Sequence, residues 1–255
     1  MPIALTRPVS PALDRCELTH LARTPIDVQL AARQHAAYED ALAACGYDLV
    51  RTPAAPDNPD AVFIEDTLVA VDELAVATRP GAASRRAEVG PVAECAARYR
   101  PVAAIEAPGT LDGGDVLRVG RRLIVGLSGR TNQDGLAQLR ALLAPFGYSV
   151  TGVEVRGCLH LKSACTAASD GVILLNPDWV DARALGLDDC AVIAVDPQEP
   201  AAANVLRARD RVIAASSFPR TRARIEAAGL AVLAVDMSEL AKAEGAVTCC
   251  SVLLE

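Results

Sequence analysis

The chain has 255 residues, of which 51% are hydrophobic and only 3% aromatic, and its formal net charge is −7. That acidic balance, without a block of Lys or Arg, excludes a typical nucleic-acid-binding protein, and no apolar run reaches the ~20 residues of a membrane-spanning helix. The N-terminus, MPIALTRPVSP, also lacks the apolar core of a signal peptide. We therefore expect a cytoplasmic protein without nucleic-acid or membrane partners, and the length suits one large domain or two small ones.

In chain order, the predicted elements repeat one pattern: a strand, a short turn, a second strand, a loop, a helix and a third strand. Four copies have their first strands at Val62–Val71, Asp115–Val119, Ala164–Ala168 and Asn204–Ala208. Their helices are expected near Ser84–Arg98, at Gln133–Pro145, near Val180–Leu185 and at Thr221–Ala228. The copies begin about 40 to 50 residues apart, a period typical of internal-repeat folds.

The two ends of the chain complete a fifth copy. The N-terminal segment supplies a strand at Ile3–Thr6, a helix at Val28–Cys45 and a strand at Tyr47–Arg51, and the C-terminal segment supplies only a strand at Cys249–Leu254. Pairing the two ends would close a ring and leave no unpaired first strand there. The sequence therefore favours a closed five-unit α/β ring over two ordinary α/β domains.

Polar residues suited to chemistry lie at equivalent places in four of these copies. Asp66 falls within the first strand of copy one, Asp112 comes just ahead of copy two, and His160 comes just ahead of copy three. Cys249 begins the C-terminal strand of copy five. Because the first strands of a ring converge on its axis, we expect these side chains to meet although they are far apart in sequence.

The histidine of this set is expected in an apolar strand between Leu159 and Leu161. Alternation along that strand would place Cys158, His160 and Lys162 on one face. A lone strand histidine is often only a hydrogen-bonded core residue. The Cys and Asp at equivalent positions of other copies favour a functional role instead.

The eight cysteines form neither a CxxC pair nor a disulfide-scaffold spacing, so we expect free thiols that are mostly small buried side chains. Cys249 and Cys250 are neighbours in a predicted strand and would point to opposite faces, and periodicity does not choose between them. A structural zinc site at Cys158, His160 and Cys165 lacks a fourth ligand. Zinc bound at Cys249 and His160 would block a catalytic thiol, so we expect no metal in the working protein.

The segment Asp112-Gly113-Gly114-Asp115 contains a glycine pair that could suggest a phosphate-binding loop. It lacks the Lys-Ser/Thr of a P-loop, and a carboxylate flanks it. We therefore interpret the glycines as permitting a tight strand entry with close backbone approach.

Seven short motifs in this order make the chain resemble the dimethylarginine dimethylaminohydrolases of the guanidine-modifying superfamily over nearly its whole length. They are Phe63-Ile64-Glu65-Asp66, Arg79-Pro80-Gly81-Ala82 followed by Ser84-Arg85-Arg86, Ala107-Pro108-Gly109-Thr110, Leu111-Asp112-Gly113-Gly114-Asp115, Arg130-Thr131-Asn132, Leu159-His160-Leu161-Lys162 and Thr248-Cys249-Cys250-Ser251. The resemblance implies a five-bladed α/β propeller of ββαβ repeats in a single domain, residues 1–255. It also implies hydrolysis of methylated arginines to citrulline and dimethylamine or methylamine, without a metal or organic cofactor.

The same resemblance implies roles for the residues that would meet at the axis. Cys249, the first of the pair, would be the nucleophile, and His160 would be the general acid and base. Asp112 would be the carboxylate partner near the reacting group. Glu65 and Asp66 would hold the guanidinium.

The resemblance also implies how the amino-acid end of the substrate would be held. Arg85 and Arg130 would bind its α-carboxylate. Asp60 would take its α-ammonium group together with backbone carbonyls near Leu18 and Ala243. Leu18 would lie on a mobile lid, which fits a Pro-bounded stretch with few predicted elements.

These residue types suit attack on a guanidinium carbon. Carboxylates accept paired N–H groups of a guanidinium and fix its plane, and a thiolate is a strong nucleophile. A bound cation and a protonated His160 would both favour the thiolate. His160 could then protonate the leaving amine and later deprotonate a water that hydrolyses a thiouronium on Cys249.

Two other functions stay open at the level of sequence. The first is another guanidine-modifying enzyme, such as an arginine deiminase, an agmatine deiminase or an amidinotransferase; the second is a non-catalytic ring protein that binds a cationic amino acid or a partner. The compact chain and the complete Cys, His and Asp set favour the methylarginine hydrolase. We expect a small-molecule substrate and a monomer or homodimer.

Overall fold

The computed structural model describes residues 2–255, which contain fifteen short strands and six α-helices. The strands are β1 (Ile3–Thr6), β2 (Asp48–Arg51), β3 (Leu68–Ala70), β4 (Ala75–Ala77), β5 (Val102–Ala104), β6 (Val116–Val119), β7 (Arg122–Leu127), β8 (Ser149–Glu154), β9 (Cys165–Ser169), β10 (Val172–Leu175), β11 (Ala191–Ala194), β12 (Val205–Ala208), β13 (Arg211–Ala215), β14 (Ala231–Val235) and β15 (Val252–Leu254). The helices are α1 (Val28–Ala44), α2 (Val89–Ala96), α3 (Gln133–Leu143), α4 (Leu161–Ala164), α5 (Pro219–Ala227) and α6 (Ser238–Ala241).

The described strands form five three-stranded sheets of one connectivity. In each sheet an antiparallel pair is extended by a third strand parallel to the middle one, in the orders β3-β4-β5, β6-β7-β8, β9-β10-β11, β12-β13-β14 and β15-β1-β2. The parallel step needs a crossover, and the helical segment of each copy supplies it. The fold is the predicted five-bladed α/β propeller.

The chain ends complete the fifth sheet as the sequence predicts. Strand β15 pairs antiparallel with β1, with Ile3 opposite Leu254 and Leu5 opposite Val252. Strand β1 is also parallel to β2, so it is the central strand of this sheet. The C-terminal strand thus occupies the place that the first strand of a copy has in the other four sheets.

Two predicted helices are shorter than the sequence pattern suggests. In the first copy a 3-10 segment, Ala83–Glu88, precedes α2, and in the third copy the crossover is only the 3-10 turn Ala182–Leu185. Asp181 caps that turn and Gly186, with φ +64°, ends it after four residues. The cap and the left-handed glycine thus confine this crossover to a single 3-10 turn.

At the site the predicted strands begin too early or are absent, because local hydrogen bonds turn the backbone there. Asp66, which was expected within a first strand, lies in the 3-10 turn Ile64–Thr67, and β3 begins only at Leu68. His160 is the residue before α4 instead of a strand residue, and the carboxylate of Asp115 accepts the N–H of Leu161 at 3.0 Å. Cys249 lies in the 3-10 turn Thr248–Cys250, and strand β15 begins only at Val252. Alternation along a strand therefore describes neither side chain.

Small aliphatic side chains fill the space between the sheets and the helices, as the low aromatic content requires. The largest amphipathic element, α1, buries Ala31, Tyr38 and Leu42 against the sheet formed by the chain ends and its neighbour. Its N-terminus is capped by Asp27, whose side chain accepts the N–H of Leu30 at 2.9 Å. Residues 2–255 contain no helix that is both long and apolar enough to cross a membrane.

Candidate active site

Three turns that lead into first strands bring Asp66, Asp112 and His160 together. The His160 Nε2 atom lies 3.0 Å from Asp112 Oδ2, and its Nδ1 atom lies 3.9 Å from Asp66 Oδ1. All three side chains are buried. Residues that are roughly 50 positions apart in this chain meet because equivalent ends of three blades converge on the axis.

A small cavity opens onto this cluster and includes Cys249. It is lined by Glu17, Asp60, Phe63, Asp66, Arg85, Asp112, Arg130, Leu159, His160, Ala243, Glu244 and Cys249. Eight of the ten residues singled out from the sequence are in this set. The cavity combines a thiol, an imidazole and three buried carboxylates, which suits a cationic ligand.

The two remaining residues, Leu18 and Glu65, do not line the cavity. The carboxylate of Glu65 accepts hydrogen bonds from the Lys162 ammonium at 2.6 Å and from the Thr248 hydroxyl at 2.7 Å, and with these two residues it lines a separate cavity. This placement argues against the expected contact between Glu65 and a guanidinium. Leu18 packs partly buried on the core beneath α1.

The glycine pair permits the close approach inferred from the sequence. A Cβ atom on Gly113 would overlap the carbonyl oxygen of Glu65, and one on Gly114 would lie 2.6 Å from His160 Nδ1. The N–H of Gly114 donates to Asp66 Oδ1 at 2.9 Å, so this backbone also orients the carboxylate. Larger residues would separate His160 from Asp66.

The surrounding carboxylates set the charge of the imidazole. Burial alone would lower the pKa of His160, but Asp66, Asp115 and Asp112 outweigh it and raise the pKa to about 10. Burial would likewise raise the pKa of Asp66, yet His160 and Arg85 hold it below its usual range. At neutral pH the cluster therefore holds an imidazolium at His160 beside an ionised Asp66.

The thiol of Cys249 responds in the opposite sense to the sequence expectation. Burial, followed by the negative charges of Glu65 and Asp66, raises its pKa to about 12. The protonated imidazole does not compensate for these effects. The resting protein thus holds a neutral thiol, and a cation must enter the cavity before a thiolate is favoured.

The two predicted arginines differ in how freely they can meet a ligand. Arg85 is buried, and its guanidinium donates to Asp66 at 2.5 Å, to Glu88 at 2.9 Å and to the carbonyl of Phe63 at 2.8 Å. Arg130 is more accessible, and among residues 2–255 its guanidinium pairs with the N-terminal loop alone, with Glu17 at 3.5 Å and Thr19 Oγ1 at 3.0 Å. Arg130 is therefore the better placed anion-binding group.

The N-terminal loop, residues 8–24, covers the cavity and contains one 3-10 turn, Leu13–Arg15. The backbone N–H of Glu17 donates to Asp60 Oδ2 at 3.1 Å. Glu244 accepts the N–H groups of Thr19, His20 and Leu21 at 3.0, 2.6 and 2.7 Å. These four hydrogen bonds thus join the loop to the cavity wall.

Sequence reasoning missed the contribution of Glu244. It follows Ala243 directly, but its backbone has φ +58°, which is unusual for a residue with a side chain. This left-handed conformation is compatible with its carboxylate meeting three successive amides of a loop more than 220 residues away. No sequence pattern signals such a long-range contact.

The site residues also bear on metal binding. Among residues 2–255, the only group of three or more His, Cys, Asp and Glu side chains close enough to share one ion is Asp66, Asp112 and His160. Their polar atoms are within 4.8 Å of one another, and the imidazole already pairs with the carboxylates. The set weighed from the sequence, Cys158, His160 and Cys165, does not form such a group.

Comparison with known proteins places this arrangement in a family, although no protein-family model matches the chain. A dimethylarginine dimethylaminohydrolase of Streptomyces coelicolor is 42% identical over 252 residues, which cover 98% of this chain and 96% of that protein. The chain belongs to the dimethylarginine dimethylaminohydrolase family. A second family member, from Pseudomonas aeruginosa, is 36% identical over 246 residues, 96% of this chain and 95% of that protein.

A solved structure agrees with this assignment. A cysteine-to-serine variant of the Pseudomonas aeruginosa dimethylarginine dimethylaminohydrolase, complexed with citrulline, superposes with a TM-score of 0.93 at 34% identity. The match covers 98% of both chains. The five-bladed arrangement described above is therefore the fold of the family.

Proposed function

We propose that this protein hydrolyses Nω-methylated arginines to citrulline and methylamine or dimethylamine. The observation that carries the proposal is one cavity in which the half-buried thiol of Cys249 shares the wall with His160, which is paired to Asp112 at 3.0 Å. Membership of the dimethylarginine dimethylaminohydrolase family, and citrulline bound to a family structure, support the choice of substrate and product.

The cavity offers complementary groups for both ends of such a substrate. We assign the guanidinium to Asp66 and Asp112, which are buried and can accept its N–H groups. Arg130 takes the α-carboxylate by exchanging its contact with Glu17. Asp60, with the carbonyl of Ala243, takes the α-ammonium group, and the carbonyl of Leu18 joins them as the loop closes.

The first half of the reaction transfers the amidine to the enzyme. The bound cation offsets the nearby carboxylates and lowers the pKa of the Cys249 thiol, whose proton passes to the surrounding water because His160 is already protonated. The thiolate sulfur bonds to the guanidinium carbon and forms a tetrahedral adduct. The bond from carbon to the methylated nitrogen then breaks, and the amine leaves with a proton from the His160 imidazolium. A thiouronium remains on Cys249.

The second half restores the enzyme. His160, now neutral, takes a proton from a water, whose oxygen bonds to the thiouronium carbon. The carbon–sulfur bond breaks, the second proton of that water passes from the new hydroxyl group to the departing Cys249 sulfur, and the carbonyl of citrulline forms, which restores the neutral thiol. One water is consumed for each amine released, and no step involves oxidation or reduction. We propose that neither a metal nor an organic cofactor takes part.

The proposal extends to the organisation of the protein. It is a single-domain enzyme, residues 1–255, that acts in the cytoplasm as a monomer or homodimer. The support is the single set of five sheets and the free cysteines, which a reducing compartment maintains. Its partner is a small molecule, an arginine derivative.

Citrulline release from monomethylarginine, dimethylarginine and unmethylated arginine tests the function. We expect turnover of the methylated compounds, and faster release from arginine would favour an arginine deiminase instead. Cys249→Ser should abolish turnover, and Cys250→Ser is the matched control. Cys250 is buried and its thiol donates to the carbonyl of Ala246, away from the cavity, so most turnover should remain. The absence of turnover with every guanidine compound would reject an enzyme.

A further inference from the structure

A second layer of polar groups lies directly behind the active-site residues. Two of its members directly precede an active-site residue: Thr248 precedes Cys249, and Glu65 precedes Asp66. The Lys162 ammonium donates to Glu65 at 2.6 Å and to the carbonyl of Gly113, which follows Asp112, at 3.1 Å.

One member of this layer, Asn204, comes from the blade that supplies no residue to the cavity. It is buried at the start of β12, and its amide touches two chain segments at once. Its Nδ2 donates to the Lys162 carbonyl at 3.1 Å and to Thr248 Oγ1 at 2.9 Å, and its Oδ1 accepts the Thr248 N–H at 3.1 Å.

The partners fix which way this amide is oriented. The Thr248 N–H can only donate, and the Lys162 carbonyl can only accept, so oxygen and nitrogen cannot be exchanged. The hydroxyl of Thr248 takes one Asn204 hydrogen and donates its own to Glu65 at 2.7 Å. Asn204 therefore binds both the backbone N–H and the side-chain hydroxyl of Thr248, and so fixes the turn that contains Cys249.

We propose that Asn204 is a positioning residue that sets the Cys249 thiol relative to His160, acting through the Thr248 turn and the segment that follows His160. The proposal rests on the proposed hydrolase function for its kinetic consequences. Four blades line the cavity. The remaining blade, which contains β12, contributes Asn204, which supports the cavity residues from behind, so all five blades take part in the site. A side chain shared by both segments limits their relative movement.

The test uses Asn204→Ala, with Asn176→Ala as the matched control. Asn176 is also buried and binds through its side chain to the Pro200 carbonyl and the Asp178 N–H, both outside the cavity. In steady-state kinetics, the kcat of Asn204→Ala should be about tenfold to a hundredfold lower than that of wild type, because a small displacement of the nucleophile slows the reaction. Its KM should stay within about threefold of wild type, because the residues that bind the substrate are unchanged. Asn176→Ala should keep kcat near the wild-type value.

A second readout does not depend on the substrate. Burial is the main reason that the Cys249 thiol resists ionisation, so a loosened turn should expose it. Alkylation of Cys249 by iodoacetamide at pH 8, followed by mass spectrometry of its peptide, should be at least about threefold faster in Asn204→Ala than in wild type. If wild type released no citrulline, the proposed function would fail. The alkylation rates would still test whether Asn204 positions Cys249.

A double-mutant cycle with Thr248→Val identifies the route of the effect. If Asn204 acts through Thr248, the double variant should lose no more kcat than the worse single variant.

Should Asn204→Ala not fold, Asn204→Asp keeps the size and the acceptor for the Thr248 N–H but loses both donors, and it gives the same readouts. Wild-type kcat and wild-type alkylation in a folded Asn204 variant, or equal losses in Asn176→Ala, would overturn the proposal.

Discussion

The Nε2 atom of His160 lies 3.0 Å from Oδ2 of Asp112, and both side chains are buried. In this geometry a carboxylate fixes the plane of the imidazole and favours its protonated form. The pair converts a histidine into a group that can hold a proton at neutral pH until an amine leaves. It also makes the role of His160 testable by pH.

Replacing Asp112 should therefore change the pH dependence of turnover. Asp112 is one of the carboxylates that raise the pKa of His160 to about 10, so Asp112→Asn should lower that pKa. A general acid is lost as pH rises through its pKa, and the alkaline limb of kcat should move to lower pH, with kcat itself reduced about tenfold to a hundredfold. A pH–rate profile measures both effects. An unchanged alkaline limb would show that another group donates the proton.

The Cys249 thiol should react slowly in the free protein. With a pKa of about 12, it is almost entirely protonated between pH 7 and 9, whereas an unperturbed cysteine is already partly ionised there. Its alkylation by iodoacetamide at pH 8 should be more than about a hundredfold slower than that of a free cysteine, and should keep rising to pH 10 and beyond. A plateau reached by pH 8 would contradict the buried, neutral thiol. Mass spectrometry distinguishes Cys249 from the other cysteines.

Loss of the two arginines should have different consequences. Arg85→Ala removes the buried guanidinium that both Asp66 and Glu88 contact, so the free energy of unfolding should fall by about 3–5 kcal/mol. Arg130→Ala should change it by less than ~1 kcal/mol, because its pair with Glu17 is partly exposed. Urea unfolding of the two variants provides the comparison.

The same arginines give a kinetic contrast. Arg130→Ala should raise KM for a methylated arginine but not for a methylated agmatine, which has no α-carboxylate for Arg130 to bind. An equal rise in KM for both substrates would mean that Arg130 holds the loop through Thr19 and not the substrate.

Glu244 should control closure of the N-terminal loop. Glu244→Gln removes the carboxylate that accepts three amides, from Thr19, His20 and Leu21, and KM should rise about threefold to thirtyfold with little change in kcat. Tryptic cleavage after Arg23, whose guanidinium binds the carbonyls of Asp14 and Cys16, should become faster.

The control for the loop is Glu226→Gln, which changes an exposed carboxylate on α5 paired only with Arg222 at 3.7 Å. It should alter neither KM nor the cleavage pattern. A Glu244 variant with wild-type KM and wild-type proteolysis would show that the loop stays closed without this contact.

Much of the site was accessible from sequence because repeats and motifs are local. The period of the predicted strands identified five copies, and the incomplete ends identified which strands had to pair. Equivalent positions in the copies then group Asp66, Asp112, His160 and Cys249. What the motifs could not give was the direction of neighbouring side chains, since a strand was expected where the chain turns.

The neighbours Glu65 and Asp66 show which features the sequence alone does not predict. The sequence determined the ring, its closure and the set of residues that converge on the axis, because these depend on periodicity and on the number of strands. Only the tertiary structure separated Asp66 from Glu65 and placed one with His160 and the other with Lys162. Only the tertiary structure also shows that Asn204 contacts Thr248 and that Glu244 binds the N-terminal loop. The physical reason is that side-chain direction and pairing are set by hydrogen bonds between segments that are distant in the chain, and these bonds exist only after the blades have packed.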